Sequence, residues 1–555
     1  MTPRQRDAAG PKLLRKYRPK MAPAALTMIV AAVVIFGYNA TYWDKGTDIF
    51  ADSWGLLIVF NFALYFLFVA FLSIFSFRHL VKPAMAGLLV LSAVTSYYMD
   101  ALGVIIDREM IQNVATTTMT ESKHLFTPGF VLHVALFGIM PAAVVLWVKI
   151  KRVSWVGTLG ATAGLMVLGI ALGAGLLMSN YKAYSSILRE RKDFMSSFQP
   201  GAPIVGAVRY AKMITRAKNA PIAPIGTDAK KGPSYARLNK PVLTIIVAGE
   251  TARAQNFSLN GYGVPTNPEL AKQPVISFSD VDSCGTATAV SLPCMFSKYG
   301  RSEYSFVRGT TTENVLDVLN HAGFHVEWWD NNTGSKAIAA RVLTRSFTNT
   351  KNEEFCPAGE CTDGIFKQYL EEFVPSITED TVLVLHQIGS HGPTYHLRYP
   401  PGFEKFSPAC RTAEFKNCTQ EEITNAYNNT IAYTDHILSE IIEFLAAQDG
   451  LITSLLYVSD HGESLGENGI YLHGSPYFMA PEFQTKVPMI MWLSDQFKAA
   501  FEVDTGCVAG KAKDALSHEN LFHSILGLLD VKTVERQPAL DVFDGCQPAL
   551  QVVRK

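Results

Sequence analysis

Polar side chains that bind metals or phosphates follow four short apolar runs in the second half of the chain. The runs are Val242–Ala248, Phe324–Trp329, Val382–Leu385 and Ser454–Val458. The side chains that follow them are, in order, Glu250 and Thr251; Asp330, Asn331 and Asn332; His386 and His391; and Asp460 and His461. Carboxylate and imidazole donors together suit Zn²⁺, and Mn²⁺ is the main alternative because mixed oxygen and nitrogen ligation accommodates both ions.

Helical stretches separate these runs, and this alternation is typical of an α/β sheet with helices on both faces. In open α/β sheets, ligands bind beyond the carboxyl ends of the strands, where residues distant in sequence meet. Turn formation is the alternative for any single cluster, since Asp, Asn and Gly also favour turns. Because Glu250, His391, Asp460 and His461 all follow strand ends, we predict that they form one metal site.

An enzyme at such a site needs a nucleophile, and the turn from Ser283 to Cys294 contains three hydroxyl candidates, Thr286, Thr288 and Ser291. Each of them could instead be an ordinary helix N-cap. A disulfide across this turn would hold one hydroxyl rigidly, and a helix N-terminus would favour the negative charge of an alkoxide or a phosphate. Coordination by a metal would complete the activation, so the residues alone leave open which hydroxyl reacts.

Five stretches near the N-terminus are long and apolar enough to cross a bilayer, which takes about 20 residues per helix. They are Ala24–Trp43, Trp54–Phe77, Pro83–Met99, Gly129–Val148 and Trp155–Met178, and none contains Asp, Glu, Lys or Arg. The composition agrees, because 48% of the 555 residues are hydrophobic and only 18% are charged, against about 25% charged in an average soluble protein.

Basic residues predict the orientation of these spans. Seven Lys or Arg residues and one acidic residue precede the first span. The excess of positive charge places the N-terminus in the cytoplasm, and five spans then place everything after Met178 outside.

All eight cysteines lie in this outer half, where an oxidising compartment permits disulfides. Short separations suggest the pairs Cys284–Cys294, Cys356–Cys361, Cys410–Cys418 and Cys507–Cys546, although eight cysteines allow many other connectivities. A cysteine zinc cluster is the alternative, and the absence of any CxxC motif disfavours it.

We expect three regions, a transmembrane domain over residues 1–180, a basic linker over residues 181–240 and an outer domain over residues 241–555. Between Val205 and Lys240 the linker carries eight basic residues and one acidic residue. It is either a solvated connection or a patch that faces anionic lipid head groups. A formal net charge of zero argues against a nucleic-acid partner.

The outer half resembles the lipid A phosphoethanolamine transferases, a family of the alkaline-phosphatase-like superfamily that includes the mobile colistin-resistance enzymes. The matching strings are GETARAQNFSLNGYG from Gly249, SCGTATAVSLPCMFS from Ser283, HQIGSHGPTYHLRYP from His386, SDHGESLGENGIYLHGSPY from Ser459 and VPMIMWLS from Val487. The resemblance implies a five-helix transmembrane domain followed by a sulfatase-like α/β/α periplasmic domain.

At the matching positions, the resemblance implies a role for each residue of the site. It makes Thr288 the nucleophile that carries phosphoethanolamine. The zinc ligands would be Glu250, Thr288, Asp460 and His461. His391 and His473 would lie near the phosphoryl group or a second metal.

The resemblance also implies two groups of substrate-binding residues. Asn332 and Lys336, spaced as N-x-x-x-K, would hold phosphate oxygens. Asn113, Thr117 and Glu121, between the third and fourth spans, would bind the substrate head group. Their spacing places them on one face if this loop is helical, and an ordinary solvated helix face is the alternative.

The implied reaction transfers phosphoethanolamine from phosphatidylethanolamine to a phosphate of lipid A through a covalent phosphothreonine intermediate. The enzyme would be a zinc-dependent monomer of the bacterial inner membrane, with its catalytic domain in the periplasm, and would confer polymyxin and colistin resistance. The alternatives are a transferase acting on core sugars of lipopolysaccharide, a glycerol-phosphate transferase related to lipoteichoic acid synthase, a sulfatase, and a metal-binding receptor without catalysis. The candidate turn lacks the C/S-x-P-x-R context that a sulfatase needs.

Overall fold

The computed structural model describes residues 18–117, 122–218, 220–347, 350–357 and 360–547. Glu121, and most of the basic residues before the first span, lie outside these ranges. Internal contacts divide the chain into two units, one of residues 1–106 and 127–205 and the other of residues 107–126 and 206–555. The segment 107–126, which lies between two spans in the sequence, therefore belongs to the second unit. The boundaries expected at residues 180 and 240 stay a prediction.

Helices make up most of the first unit, which also contains a short parallel pair of strands, Lys20–Met21 and Lys149–Ile150. The bounds of the helices are Pro23–Gly37, Ala40–Ile49, Trp54–Ser73, Val81–Leu102, Pro128–Trp147 with a π-helical stretch at Val134–Ile139, Trp155–Ser179, Tyr181–Glu190, Lys192–Ser196 and the start of Gly201–Lys218. Among the described residues, four of these helices are long and apolar enough to cross a membrane, and a fifth span results if the first two helices count as one. This agrees with the predicted five-helix domain.

The first span differs from the continuous helix that its composition predicts. Helices Pro23–Gly37 and Ala40–Ile49 meet at an angle of 66°. Between them, Asn39 leaves the helical conformation, with φ −134° and ψ 44°. Its side-chain amide donates to the carbonyls of Val34 and Gln199 at 2.9 and 3.0 Å. An Asn side chain that bonds nearby backbone groups competes with the helical ladder, which accounts for the break.

An eight-stranded sheet forms the centre of the second unit. In chain order the strands are β1 (Val242–Gly249), β2 (Ile276–Asp282), β3 (His325–Asp330), β4 (Leu343–Ser346), β5 (Thr381–His386), β6 (Ile452–Ser459), β7 (Lys486–Leu493) and β8 (Leu516–Ser517). Their spatial order is β8-β2-β7-β6-β1-β5-β3-β4. The four strands from β6 to β3 are parallel to one another, whereas β7 is antiparallel to both of its neighbours.

The register of the parallel strands brings the predicted clusters together. Gly249 of β1 is opposite Ser459 of β6, Ala248 is opposite His386 of β5, and His386 is opposite Asp330 of β3. The four strands therefore end at the same edge, and the residues that follow them meet there. This confirms the α/β class, and the near-continuous apolar sequences of β1 and β6 reflect burial of both of their faces.

The second unit also contains eleven α-helical segments among its described residues. Their bounds are Arg108–Thr116, the remainder of Gly201–Lys218, Thr288–Met295, Phe306–Thr311, Val315–His321, Ile365–Phe373, Gln420–Ala446, Glu482–Thr485, Asp495–Ala500, Thr505–Gly510 and Glu519–Leu528. Capping boxes start Val315–His321 and Gln420–Ala446, and each cap satisfies orphan N–H groups of a first turn. Two of these helices define the site: the Arg108 helix (Arg108–Thr116) and the Thr288 helix (Thr288–Met295).

All eight cysteines of the second unit are paired. The bonds join Cys284 to Cys294, Cys356 to Cys361, Cys410 to Cys418 and Cys507 to Cys546. The four predicted pairs are confirmed, and the first of them spans the turn and helix that contain Thr288.

The basic residues of the predicted linker differ in their surroundings. Lys231 pairs with Asp380 at 2.6 Å, and Arg237 pairs with Glu502 at 2.9 Å. These two therefore pair with acidic side chains of the second unit. Arg209 on Gly201–Lys218 is exposed, as both interpretations of the linker require.

Candidate active site

Three side chains converge beyond the ends of β1 and β6. Glu250, Asp460 and His461 each offer a ligand atom, and these atoms lie within 4.8 Å of one another. The Nε2 atom of His461 is 3.5 Å from Glu250 Oε1 and 3.4 Å from Asp460 Oδ2. All three side chains are buried. Two carboxylates and one imidazole in this arrangement form a donor set that fits a divalent cation such as Zn²⁺.

The hydrogen bonds of Asp460 leave one of its oxygen atoms directed at this centre. Oδ1 accepts the backbone N–H groups of Thr251 and His461 at 3.1 and 2.7 Å. Oδ2 is buried and has no hydrogen-bond partner within the described part of the chain. A buried carboxylate oxygen without a donor is costly unless a cation binds it, so Asp460 fits the role of a metal ligand.

His461 is held in the tautomer that a metal ligand requires. Its Nδ1 lies 2.9 Å from the carbonyl oxygen of Gly462. The Nδ1–H group therefore donates to Gly462, and Nε2 presents its lone pair to the two carboxylates. Hydrogen bonding through the second ring nitrogen is the usual way in which proteins orient a histidine that binds a metal.

Electrostatics give a second reason to expect a cation here. Burial opposes ionisation of Glu250, but the facing histidines, His461 above all, lower its pKa. Burial and then the charge of Glu250 raise the pKa of Asp460. Two carboxylates this close cannot both be charged in a buried site without positive charge between them. A divalent cation would supply that charge and allow both to ionise.

Thr288 is the hydroxyl that faces these ligands. Its Oγ1 lies 3.1 and 3.2 Å from the two carboxylate oxygens of Glu250 and 3.3 Å from His461 Nε2. The other two candidates make structural bonds. Thr286 donates to the carbonyl of Ser475 at 2.6 Å, and Ser291 donates to the carbonyl of Asp460. The residue types alone left three hydroxyls as candidates. Their contacts now favour Thr288, because it alone of the three faces Glu250 and His461.

The start of the Thr288 helix gives its hydroxyl a favourable position. Thr288 is the first residue of the helix, Ala287 precedes it at the N-cap, and no side chain caps this end. The first N–H groups of a helix lack intrahelical partners and carry partial positive charge. A phosphate bound next to Thr288 would therefore meet backbone donors.

Asn332 contacts a candidate metal ligand. Its Nδ2 donates to Glu250 Oε2 at 2.8 Å and to the carbonyl of Gln387 at 2.8 Å. Lys336 lies in the same loop, and its ammonium donates to Thr333 Oγ1 at 2.6 Å and to the carbonyl of Thr116 at 3.3 Å. The loop thus connects Glu250 to the C-terminal end of the Arg108 helix.

The two predicted histidines lie at the rim of the centre. The ring of His473 is 4.3 Å from that of His461 and 5.7 Å from that of His391, between centroids. His473 Nδ1 is 2.9 Å from Glu463 Oε2, and Glu463 is fully buried. Glu463 therefore orients the ring of His473 so that Nε2 points away from this carboxylate.

The Arg108 helix holds part of the predicted head-group set. Asn113 lies on the helix, and Thr117 follows its last residue. The Thr117 hydroxyl donates to the Asn113 carbonyl at 2.8 Å, so the expected spacing of four residues brings these two together. Glu121, the third member, lies outside the described residues.

Several residues of the site were not among the sequence-based candidates. Asp363 accepts the N–H groups of Ile388 and Gly389 at 3.0 and 2.9 Å and so fixes the loop that leads to His391. Glu463, two residues after His461, and Gln112, in the Arg108 helix, also contribute. The only sequence feature that points to Glu463 is its position two residues after His461. Nothing in the sequence indicates that Gln112 bonds the Ala289 carbonyl.

Comparison with known proteins decides the family. Residues 243–531 match the Sulfatase family model, and residues 64–214 match the family model "Phosphoethanolamine transferase EptA/EptB". The chain is 42% identical over 482 residues to phosphoethanolamine transferase EptA of Escherichia coli K12, covering 86% of this chain and 87% of that protein. The chain belongs to the phosphoethanolamine transferase family.

Two further similarities extend over almost the whole transferase. Phosphatidylethanolamine transferase Mcr-1 of Escherichia coli is 35% identical over 531 residues, covering 93% of this chain and 96% of that one. The structure of integral membrane lipooligosaccharide phosphoethanolamine transferase A from Neisseria meningitidis superposes with a TM-score of 0.90 at 34% identity, covering 95% of this chain and all of that one. The predicted membership of the alkaline-phosphatase-like superfamily and the membrane-embedded architecture are therefore confirmed.

Proposed function

We propose that this transferase moves phosphoethanolamine from phosphatidylethanolamine to a phosphate of lipid A, with Thr288 as the nucleophile. The observation that carries the proposal is the position of the Thr288 hydroxyl, within 3.3 Å of both Glu250 and His461 at a buried centre. The names of the relatives support the substrate class. Among them is a Kdo(2)-lipid A phosphoethanolamine 7''-transferase of Salmonella typhimurium, 27% identical over 512 residues.

We assign Glu250, Thr288, Asp460 and His461 as the residues that would hold Zn²⁺. Two observations support this set. Asp460 Oδ2 is buried without a hydrogen-bond donor in the described part of the chain, and His461 Nε2 faces the two carboxylates while Nδ1 bonds Gly462. The chemistry that such an ion supplies when bound is Lewis acidity, which lowers the pKa of a neighbouring hydroxyl. Mn²⁺ remains the competing ion because the donor set accepts both.

In the first half of the reaction, the Thr288 hydroxyl gives up its proton to solvent, and its oxygen attacks the phosphorus of phosphatidylethanolamine. A bond forms between Thr288 and phosphorus, and the bond from phosphorus to the diacylglycerol oxygen breaks. The N-terminus of the Thr288 helix stabilises negative charge on the phosphoryl oxygens. His391 or His473 donates the proton that the leaving alkoxide takes up. The product is a covalent phosphoethanolamine ester of Thr288.

In the second half, an oxygen of a lipid A phosphate attacks the same phosphorus and forms a bond to it. The bond from phosphorus to Thr288 breaks, and the Thr288 oxygen takes up a proton. Lys336 and Asn332 act on the phosphate oxygens in both halves, and Asn332 also orients Glu250. Asn113, Thr117 and Glu121 bind the head group of the donor. Transfer adds a cationic ammonium group to an anionic lipid, so the cell surface attracts polycationic peptides less strongly, and we expect polymyxin and colistin resistance.

The proposal places the protein as a monomer in the bacterial inner membrane, with residues 241–555 in the periplasm. Four disulfides in the second unit support an oxidising compartment. The spans tether the enzyme to the membrane, where the donor lipid is also confined, and such tethering raises effective concentration relative to free diffusion.

Mass spectrometry of the full-length protein tests the central claim. After incubation with phosphatidylethanolamine, the peptide that contains Thr288 should carry a phosphoethanolamine adduct, and Thr288→Ala protein should carry none. Ser291→Ala is the matched control, because it removes a hydroxyl from the same helix that bonds a backbone carbonyl instead of Glu250. An unmodified Thr288 peptide in active wild-type protein would refute the assignment.

Metal analysis and lipid profiling test the remaining claims. Elemental analysis should find zinc in the wild-type protein and less than stoichiometric zinc in Glu250→Ala and Asp460→Ala. Full zinc content in both variants would mean that the ligands are elsewhere. Lipids from cells that express the enzyme should carry phosphoethanolamine on lipid A phosphates, and modification confined to core sugars would favour the alternative acceptor.

A further inference from the structure

The Thr288 helix contains a proline where one of its own hydrogen bonds should form. Each carbonyl of an α-helix accepts the N–H of the residue four positions later. For Ala289, which is buried, that residue is Pro293, and proline has no N–H. The carbonyl next to the proposed nucleophile therefore lacks its helical donor.

Gln112 provides a donor to this carbonyl from a distant part of the chain. Its Nε2 lies 2.8 Å from the Ala289 oxygen, although 177 residues separate the two in sequence. The Gln112 side chain is 2% exposed, so the bond forms away from solvent. A side chain of the Arg108 helix thus occupies the place of the backbone N–H that Pro293 cannot supply.

Two further features fix the N-terminal side of the Arg108 helix. Asp107 caps the helix by accepting the N–H groups of Glu109 and Met110. A methyl group added to Gly474, next to His473, would come within 2.7 Å of Met110 Cε, so the helix and this loop are tightly apposed.

The C-terminal side of the Arg108 helix is held as well. The Thr116 carbonyl accepts from the Lys336 ammonium at 3.3 Å. Beyond the helix, His124 lies 3.3 Å from Glu360. Of the side chains named here for the Arg108 helix, Gln112 is the one that bonds the Thr288 helix.

We propose that Gln112 is a positioning residue that fixes the Arg108 helix, and with it the donor head-group site, against the Thr288 helix. The inference rests on the proposed function, because Asn113 and Thr117 matter only if they bind the donor. Asn113 follows Gln112 directly in the chain, so the hydrogen bond to Ala289 sets the position of Asn113 relative to Thr288. Since Gln112 touches none of the candidate metal ligands in the described contacts, its loss should weaken donor binding and leave metal binding intact.

Gln112→Met tests this in the full-length enzyme, because methionine has a similar length and no donor. We expect the KM for phosphatidylethanolamine to rise about tenfold, the effect of losing one buried hydrogen bond, with zinc content unchanged and kcat changed less than KM. Gln448→Met is the matched control. The Gln448 amide also donates to a backbone carbonyl, that of Phe444, at 2.9 Å, but at the end of the Gln420–Ala446 helix, and its loss should leave KM unchanged.

Pro293→Ala separates positioning from simple helix stabilisation. Alanine restores the N–H that Ala289 lacks, so in the double variant Gln112→Met/Pro293→Ala the thermal unfolding midpoint should recover while the KM stays high. Recovery of KM together with the midpoint would show that Gln112 only stabilises the Thr288 helix, and would overturn the proposal. An unchanged KM in Gln112→Met would overturn it as well.

Gln112→Glu provides a second test if Gln112→Met does not fold. The carboxylate keeps the length but turns a donor into an acceptor that repels the Ala289 carbonyl, so the KM should rise at least as much, and an unchanged KM would contradict positioning. Failure of the proposed function would look different, because wild-type enzyme would then transfer no phosphoethanolamine. The unfolding midpoints of the single and double variants would still report whether the contact exists.

Discussion

Replacing Asn332 should weaken zinc binding although Asn332 is not a ligand. Its amide donates to Glu250 Oε2 at 2.8 Å, while Glu250 Oε1 accepts the Thr251 hydroxyl at 2.6 Å. These two donors on opposite oxygens hold the plane of the carboxylate. In Asn332→Ala one of them is lost, and Glu250 can rotate away from the position in which it faces Asp460 and His461.

The structure also shows why Asn332 itself is rigid. Asp330 Oδ1 accepts the N–H groups of Asn332 and Gly334 at 3.1 and 2.9 Å. Its other oxygen accepts Trp328 Nε1 and His386 Nδ1, each at 2.9 Å. Asp330 therefore holds the loop at the end of the sheet, with the Asn332 amide next to Glu250. Little conformational entropy of this loop remains to be lost when a metal binds.

Loss of such an outer-shell partner usually costs about 10- to 100-fold in metal affinity, or ~1.4 to 2.7 kcal/mol. Competition with a chromophoric chelator on the purified full-length protein measures this directly, without any assay of turnover. Asn331→Ala is the matched control. Asn331 is also buried and donates to the Cys361 carbonyl and to Asp363, but it does not bond Glu250.

The two alanine variants should therefore differ in zinc affinity while both lose buried hydrogen bonds. Equal affinity in both, within about twofold of wild type, would refute the idea that Asn332 orients Glu250. An equal loss in both would show that general loosening of the loop, and not the bond to Glu250, controls the metal site. Asp330→Asn tests the same connection one step further from the metal and should cause a smaller loss than Asn332→Ala.

Two further predictions concern stability. Burial alone would raise the pKa of Glu360, but bonds and charge from His124 and Arg398 outweigh burial and lower it from 4.5 to about 2. Because the folded pKa is depressed, this stabilisation is present above pH 4.5 and is lost as the pH falls toward 2. Glu360→Gln should remove about 3 kcal/mol of this acid-dependent loss of stability. Unfolding midpoints measured across that pH range check this, and a pH profile unchanged from wild type would contradict it. In chelator-treated protein above pH 7, where Asp460 ionises in spite of a pKa that burial and Glu250 raise to about 7, Asp460→Asn should raise the unfolding midpoint, because it removes a buried charge beside Glu250. With zinc at about 100 times its Kd, which stabilises wild type by about 2.7 kcal/mol, the same change should lower the midpoint.

The metal-binding candidates were predictable because their chemistry and their position coincide in the sequence. Glu250, Asp460 and His461 each lie within three residues of the end of an apolar run. The carboxyl ends of neighbouring parallel strands meet at one edge of a sheet. The register of β6, β1, β5 and β3 realises this arrangement. Hydropathy likewise predicted the spans, apart from the break at Asn39, where a side chain competes for the carbonyl of Val34.

Residues that orient the site were harder to predict, because their role depends on the atom that they face. Asn332 was expected to hold phosphate oxygens, and its bond to Glu250 required coordinates. Residue type and spacing left the three hydroxyls of the turn equivalent, and only the family resemblance singled out Thr288. Their separation came from tertiary contacts, since Thr286 and Ser291 bond the carbonyls of Ser475 and Asp460.

The roles of Pro293 and Gln112 could not be predicted from either residue alone. By itself, a proline inside a short helix is expected to destabilise that helix. A single glutamine on an amphipathic helix is by itself expected to have little effect on stability. Together they have a definite consequence, because the missing N–H of Pro293 leaves the Ala289 carbonyl available to a donor from outside the helix. A helix with a complete ladder would leave that carbonyl already bonded, and the Arg108 helix would have no equally specific acceptor one residue from Thr288. The proline weakens its own helix locally, but it makes possible a single hydrogen bond that links the proposed donor-binding segment to the proposed nucleophile.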